Sequence, residues 1–229
     1  MLVALAAASL AAGVAPAGAT NECRGLMVCV PVAGPWVVVP TGGAVPRPRV
    51  EFQLSCPKGF IVGGLDAELS DRAIDLGFLG ALGAPVNPGI TTSRAVVFVA
   101  SYAGASARAP SFRPHVGCMP ASGGGARVPT AAGVFPPGQP TLRRVRTVEL
   151  RPGRVQRVGQ GCAAGERLVG ASHALGFYTA APPGEALASS VTAAQAVSGG
   201  RVTVTVRSGT ALSGVSAVVQ VDAVCAGGR

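Results

Sequence analysis

The sequence predicts an all-β protein made of two tandem, disulfide-stapled antiparallel domains, β-sandwich-like and immunoglobulin-like at most, preceded by a short N-terminal arm. Three observations predict this. First, one stretch occurs twice. Cys56-Pro57-Lys58-Gly59-Phe60-Ile61-Val62-Gly63-Gly64 closes at Cys118, and Cys162-Ala163-Ala164-Gly165-Glu166-Arg167-Leu168-Val169-Gly170 closes at Cys225. The spacings of 62 and 63 residues mark an internal repeat. Second, short runs rich in β-branched residues recur between Gly- and Pro-rich turns. Third, no long stretch carries a 3.6-residue apolar period.

The elements follow in order. Residues 1–19 carry no charged side chain, Leu2–Val14 is apolar and small, and Ala17-Gly18-Ala19 fits a cleavage site, so 1–19 reads as a signal peptide. No later segment approaches the roughly 20 apolar residues that span a bilayer. The mature protein is therefore expected to be secreted or at the cell surface. Residues 20–49 form the arm. It holds a Cys23–Cys29 loop followed by Val30–Val32 and Trp36–Val39, which read as one or two edge-type strands bounded by prolines. Trp36, the single tryptophan, is expected to pin the arm to the first domain.

Residues 50–120 form the first domain. Val50–Ser55 and Phe60–Leu65 read as strands, and the glycines at 63 and 64 suggest a bulge or a close backbone approach. The continuous run Ala95–Ala100 reads as a buried strand, and Arg113–Cys118 as the closing one. Residues 121–141 form a Gly/Pro-rich linker. In the second domain, 142–229, Leu142–Leu150 and Val155–Cys162 read as a hairpin around Pro152-Gly153. Ala186–Val197 reads as a strand joined to Arg201–Arg207 through Ser198-Gly199-Gly200. Arg201–Arg207 alternates cleanly, valines to the core and threonines outward. Ser216–Val224 closes the domain.

Composition supports this reading. Of 229 residues, 48% are hydrophobic and 13% charged, while 33 glycines and 19 prolines sit just under the level of about 25–30% that signals a structureless chain. Aromatics are 4%, so the cores are built mainly from Val and Ala. Six cysteines allow about fifteen pairings. If each repeat folds as a unit, Cys56 pairs with Cys118 and Cys162 with Cys225, leaving Cys23 for Cys29. In the chain-entropy account each long loop contributes about 4 kcal/mol and the short one about 2. Without a Cys-x-x-Cys pair, and with only two histidines, the cysteines do not read as a zinc site.

The repeated opening resembles a loose group of secreted bacterial proteins, in which a Cys-Pro-x-Gly segment runs into a Gly-Gly strand and the unit ends on a cysteine-bearing strand. Cys56–Gly64 follows the pattern closely and Cys162–Gly170 less so. The resemblance implies a β fold and export, and no catalytic residue. The cysteine spacing is also similar to that of immunoglobulin domains. Neither unit, however, has a Trp between its cysteines or a Tyr two residues before the closing one.

Three constellations are candidates for function. The chain carries a net charge of +9, with 18 arginines to one lysine. Arg143, Arg144, Arg146, Arg151, Arg154 and Arg157 crowd the expected hairpin, a pattern suited to a polyanion. A general arginine bias competes with that reading. The stretch lacks the interleaved aromatics that single-stranded nucleic acid needs, so specific nucleic-acid recognition is not expected. Asp66, Glu68, Asp71 and Asp75 form an acidic cluster whose spacing matches no calcium loop, and no metal or cofactor is assigned. The opposite charges of these two clusters suggest docking between domains, or head to tail between molecules. Gly170-Ala171-Ser172-His173-Ala174 falls one residue short of a nucleophile elbow but lacks the α/β context that motif requires. His173 aligns with Asp66, and pseudo-twofold packing would let them meet. The expectation is a non-catalytic secreted surface or matrix module that binds an anionic envelope polymer or another secreted protein. The competing readings are a secreted hydrolase using His173 or the acidic cluster, and a small inhibitor whose stapled arm blocks a protease.

Overall fold

The two halves of the chain show the same pattern of strand pairings in a computed structural model that describes residues 20–79, 94–105, 109–121 and 141–227. The expected signal peptide and almost all of the expected linker lie outside the described residues. In the first unit, β1 (Val30–Ala33) and β2 (Trp36–Val38) are followed by β3 (Arg49–Ser55), β4 (Phe60–Leu69), β5 (Ile74–Leu79), β6 (Ala95–Tyr102) and β7 (Ser111–Pro120). In the second, β8 (Thr141–Glu149), β9 (Val155–Gly161) and β10 (Glu166–Tyr178) lead through a short helix α1 (Glu185–Ser189) to β11 (Val191–Ser198), β12 (Arg201–Ser208) and β13 (Ser216–Gly227). All pairings are antiparallel.

Each unit is a sandwich of two three-stranded layers. In the first, β3–β6–β5 packs on β4, β7 and β1/β2; in the second, β9–β12–β11 packs on β10, β13 and β8. Each long disulfide staples its two layers. Cys56 follows β3 and joins Cys118 in β7, and Cys162 follows β9 and joins Cys225 in β13. All three expected disulfides are present. The cores are as small-chained as composition implies. Val202, Val204 and Val206 are fully buried, while Thr203 and Thr205 alternate outward.

The larger layers fuse. β2 pairs with β7 on one side and with β10 on the other, so one seven-stranded sheet runs through both units. Neighbours on β10 show what this does. Ala174 joins the first unit's core, whereas Leu175 and Phe177 join the second unit's. Adjacent strand residues point to opposite faces, so the two smaller sheets cover opposite faces of the common one.

Four expectations change. The arm's strands are not both edge-type, because β1 pairs with β7 and β2 pairs with β7 on one side and β10 on the other, inside the common sheet. Trp36 lies opposite Phe177 of the second unit and is buried there, so it joins the units rather than pinning the arm to the first. Leu142–Leu150 and Val155–Cys162 are strands but not a hairpin: β8 pairs with β13, and β9 with β12. Leu150 turns into the core between them, and Ser208 accepts from Arg154 N–H and donates to the Arg151 carbonyl, which holds the chain in a corner between layers. Ala186–Val197 is a helical turn followed by the strand β11, and it does form the expected hairpin with β12. Beyond these four, Ile74–Leu79, in which only Asp75 stood out in the sequence, is the strand β5.

Candidate functional site: an unpaired arginine face and a junction cleft

The six candidate arginines separate. Arg143 and Arg144 lie on β8 and are already neutralised. Arg143 Nη1 binds Glu51 Oε2 at 2.6 Å and also bonds to Asp222. Arg144 binds Glu166 in a fork, at 2.8 and 3.2 Å. This bond raises the arginine pKa and, together with the Ala163 N–H, lowers that of Glu166. Arg146 donates to the Gly159 carbonyl. The remaining three, Arg151, Arg154 and Arg157, are exposed and have no carboxylate partner among the described residues.

Register adds two residues that the sequence reading left out. The outward residues of β9 are Val155, Arg157, Gly159 and Gly161, and they face Arg207, Thr205, Thr203 and Arg201 on β12. Arg201 and Arg207 are exposed and likewise unpaired. On β11, Thr192 and Ser198 lie opposite Arg207 and Arg201. No acidic residue occurs in β9, β11 or β12. The result is a flat guanidinium and hydroxyl face continued by the Arg151–Arg154 corner. The signal was present in the sequence: in Arg201–Arg207 the same alternation that buries the valines sends both arginines outward.

The acidic cluster does not converge. Asp66 and Glu68 lie on β4 in the common sheet, and Asp75 lies on β5 in the smaller one. Asp66 accepts from the Asn21 and Ala67 N–H groups. Asp71 accepts from the Ala73 N–H and the Tyr102 hydroxyl, in that order of effect, and its pKa is lowered. Glu68 bonds His115 Nε2 at 2.8 Å and lies 3.7 Å from Arg113. The other face of the His115 ring looks at Glu22, 3.9 Å away, which is buried with Oε2 unpartnered. The arm therefore settles on β4 and β7 through Glu22, while Met27 and Val28 at the tip of its disulfide loop stand exposed. The two units do dock through opposite charges, but Glu51, rather than the Asp66–Asp75 cluster, is the acid that meets Arg143.

No catalytic set forms around Ser172 and His173. They are consecutive in the strand β10 and point to opposite faces. Ser172 Oγ has no hydrogen-bond partner, and His173 Nδ1 meets Gln195 Oε1 at 2.9 Å. Asp66 is distant from His173 in the sheet, since β7 and β1/β2 stand between β4 and β10. Register also shows that Asp66 corresponds to Ser172: each lies opposite the residue three before its closing cysteine, His115 and Asp222 respectively. Cys162, Cys225 and Glu166 cluster closely, but the two sulfurs are bonded to each other and cannot ligate a metal as thiolates.

A cleft of about 440 Å³ opens where β2 leaves β10, bounded by Val38, Pro40, Pro48 and Arg49 on one side and by β10 and Gln195 on the other. Among the described residues no helix is long and apolar enough to cross a membrane. Comparison with protein-family models, with curated proteins and with solved structures gives no match to this chain.

Proposed function

We propose that the chain is a non-catalytic exported module that holds an anionic polymer of the cell envelope or extracellular matrix on the outer face of β9–β12–β11. One observation carries this reading: Arg157, Arg201 and Arg207, on strands that contain no acid, and Arg151 and Arg154, in the adjoining corner, have no carboxylate partner among the described residues. Five unneutralised guanidiniums are electrostatically unfavourable in isolation and favourable against carboxylate, sulfate or phosphate, which the planar fork binds in pairs. The flat geometry suits an extended chain better than a small ligand, and threonine hydroxyls between the arginines add donors and acceptors. The three disulfides fit an oxidising compartment, and the sequence signal at 1–19 supports export.

Salt-gradient elution from heparin and teichoic-acid resins tests the reading. R151S/R154S/R157S should elute at clearly lower salt than the parent protein. R24S/R47S/R72S removes the same charge from exposed positions of the first unit and should elute close to the parent. Equal loss in both variants would reduce the effect to net charge and reject the site. Unchanged retention of the first variant would reject it outright.

A further inference from the structure

We infer that the cleft at the junction of the two units is a binding site for a small hydroxylated organic acid with an apolar body, independent of the arginine face. The cleft exists because β2 pairs with β10 only at Gly176 and Phe177 and then turns away at Pro40. That leaves the Ala171–Leu175 stretch of β10 as a floor between the units. Junctions of this kind, with mostly apolar walls and a few convergent polar groups, are where small-molecule sites concentrate, and 440 Å³ lies within the usual range of about 300–1,000 Å³.

The polar groups define the ligand. Arg49 is exposed at the cleft and has no carboxylate partner among the described residues. No acidic residue lines the cleft, so a guanidinium stands there without an anion. His173 is held in one orientation by a chain of hydrogen bonds. The Ala171 carbonyl can only accept, so Gln195 Nε2 donates a hydrogen bond to it. That fixes the amide with Oε1 toward His173 Nδ1, which must then donate. In the neutral ring this leaves Nε2 as an acceptor. The complement of these groups is an acid group for Arg49, a hydroxyl donor for His173 Nε2, and an apolar body against Val38, Pro40 and Pro48. The prolines make those walls rigid, so little ordering is required on binding.

Mandelate carries all three features and serves as the probe. The chain has only two histidines, so imidazole ¹H–¹⁵N spectra resolve His173 from His115. Mandelate should shift the His173 signals saturably and leave those of His115 in place. R49S should weaken the apparent affinity about tenfold or more, with an unchanged thermal transition as the control for folding. Benzyl alcohol, which lacks the acid, should bind no better to the parent than to R49S. Absence of a saturable His173 shift, or the same shift in R49S, would overturn the site. R49S should keep its retention on heparin, so failure here and failure of the polymer reading are separately visible.

Discussion

At the scale of single residues, the shared motif is explained by what sits on its glycines. Gly64 of β4 lies opposite Gly117 of β7, and a Cβ at either would collide with the Glu22 carbonyl oxygen. These glycines make room for the arm and its Cys23–Cys29 loop. In the second unit Gly170 lies opposite Val224, whose side chain occupies the corresponding space, and no arm residue descends there among the described residues. Gly64 is thus part of a docking floor in the first unit, whereas its counterpart Gly170, which follows Val169 rather than a glycine, packs against Val224. Gly117→Val, which installs the second unit's residue in the first, should lift the arm. We expect a loss of about 1–3 kcal/mol, typical of overpacking, in denaturant unfolding, together with faster proteolysis at Arg24. An unchanged midpoint and digestion rate would show that the arm is held by its disulfide and Glu22 alone.

At the scale of elements, β8 shows both what could be read from the chain and what could not. Strand positions were legible, because valine alternation and bounding Pro and Gly residues are local signals; β12 is the clearest case. Pairing was not. Pro152-Gly153 between two strands reads as a hairpin, yet Leu150 is apolar and enters the core, and that single residue sends β8 and β9 into different layers. The candidate site split for the same reason. Six arginines close in sequence became two ion-paired residues and one backbone-bonded residue on β8, and three free residues at the corner and on β9. Arg201 and Arg207 joined them only through register. The Arg144–Glu166 pair on this strand also has a readable pH signature. The guanidinium bond first and the Ala163 N–H second lower the Glu166 pKa below its unfolded value. The stabilisation is therefore complete above the ordinary glutamate value of about 4.3 and is lost as pH falls through the lower folded value. Glu166→Gln should flatten the decline of the melting temperature below about pH 4.3 relative to the parent. Parallel curves in that range would mean the pair adds nothing to folding.

At the scale of the whole molecule, the order β4–β7–β1/β2–β10–β13–β8 places the same three strands in the same lateral sequence twice, with strand direction reversed. Reversing direction while keeping lateral order turns the second unit over, which is why its smaller sheet covers the opposite face. Such a relation is head to tail and does not close, so in principle it could continue from the free edge of β8 to the β4 edge of another molecule. The residues that make the internal junction are not repeated at those ends. Val37 corresponds to Val148, and its neighbour Trp36 therefore to Thr147; the counterpart of Phe177 is Asp71, beyond the end of β4. Inside the molecule the Gln220 amide accepts from the Gln53 N–H at 2.6 Å and donates to its carbonyl at 3.0 Å, capping the open edge of β3 as a further strand would. Register gives the counterparts as Arg113 and Gly159, and an arginine offers no acceptor. Charged side chains on both outer edges further discourage strand addition. The chain should therefore sediment as a monomer from low to high salt, with no dependence on concentration. Reversible self-association that weakens with salt would instead assign Arg146 and the β4 carboxylates to an intermolecular contact, and would show that edge charge attracts a second copy here rather than excluding it.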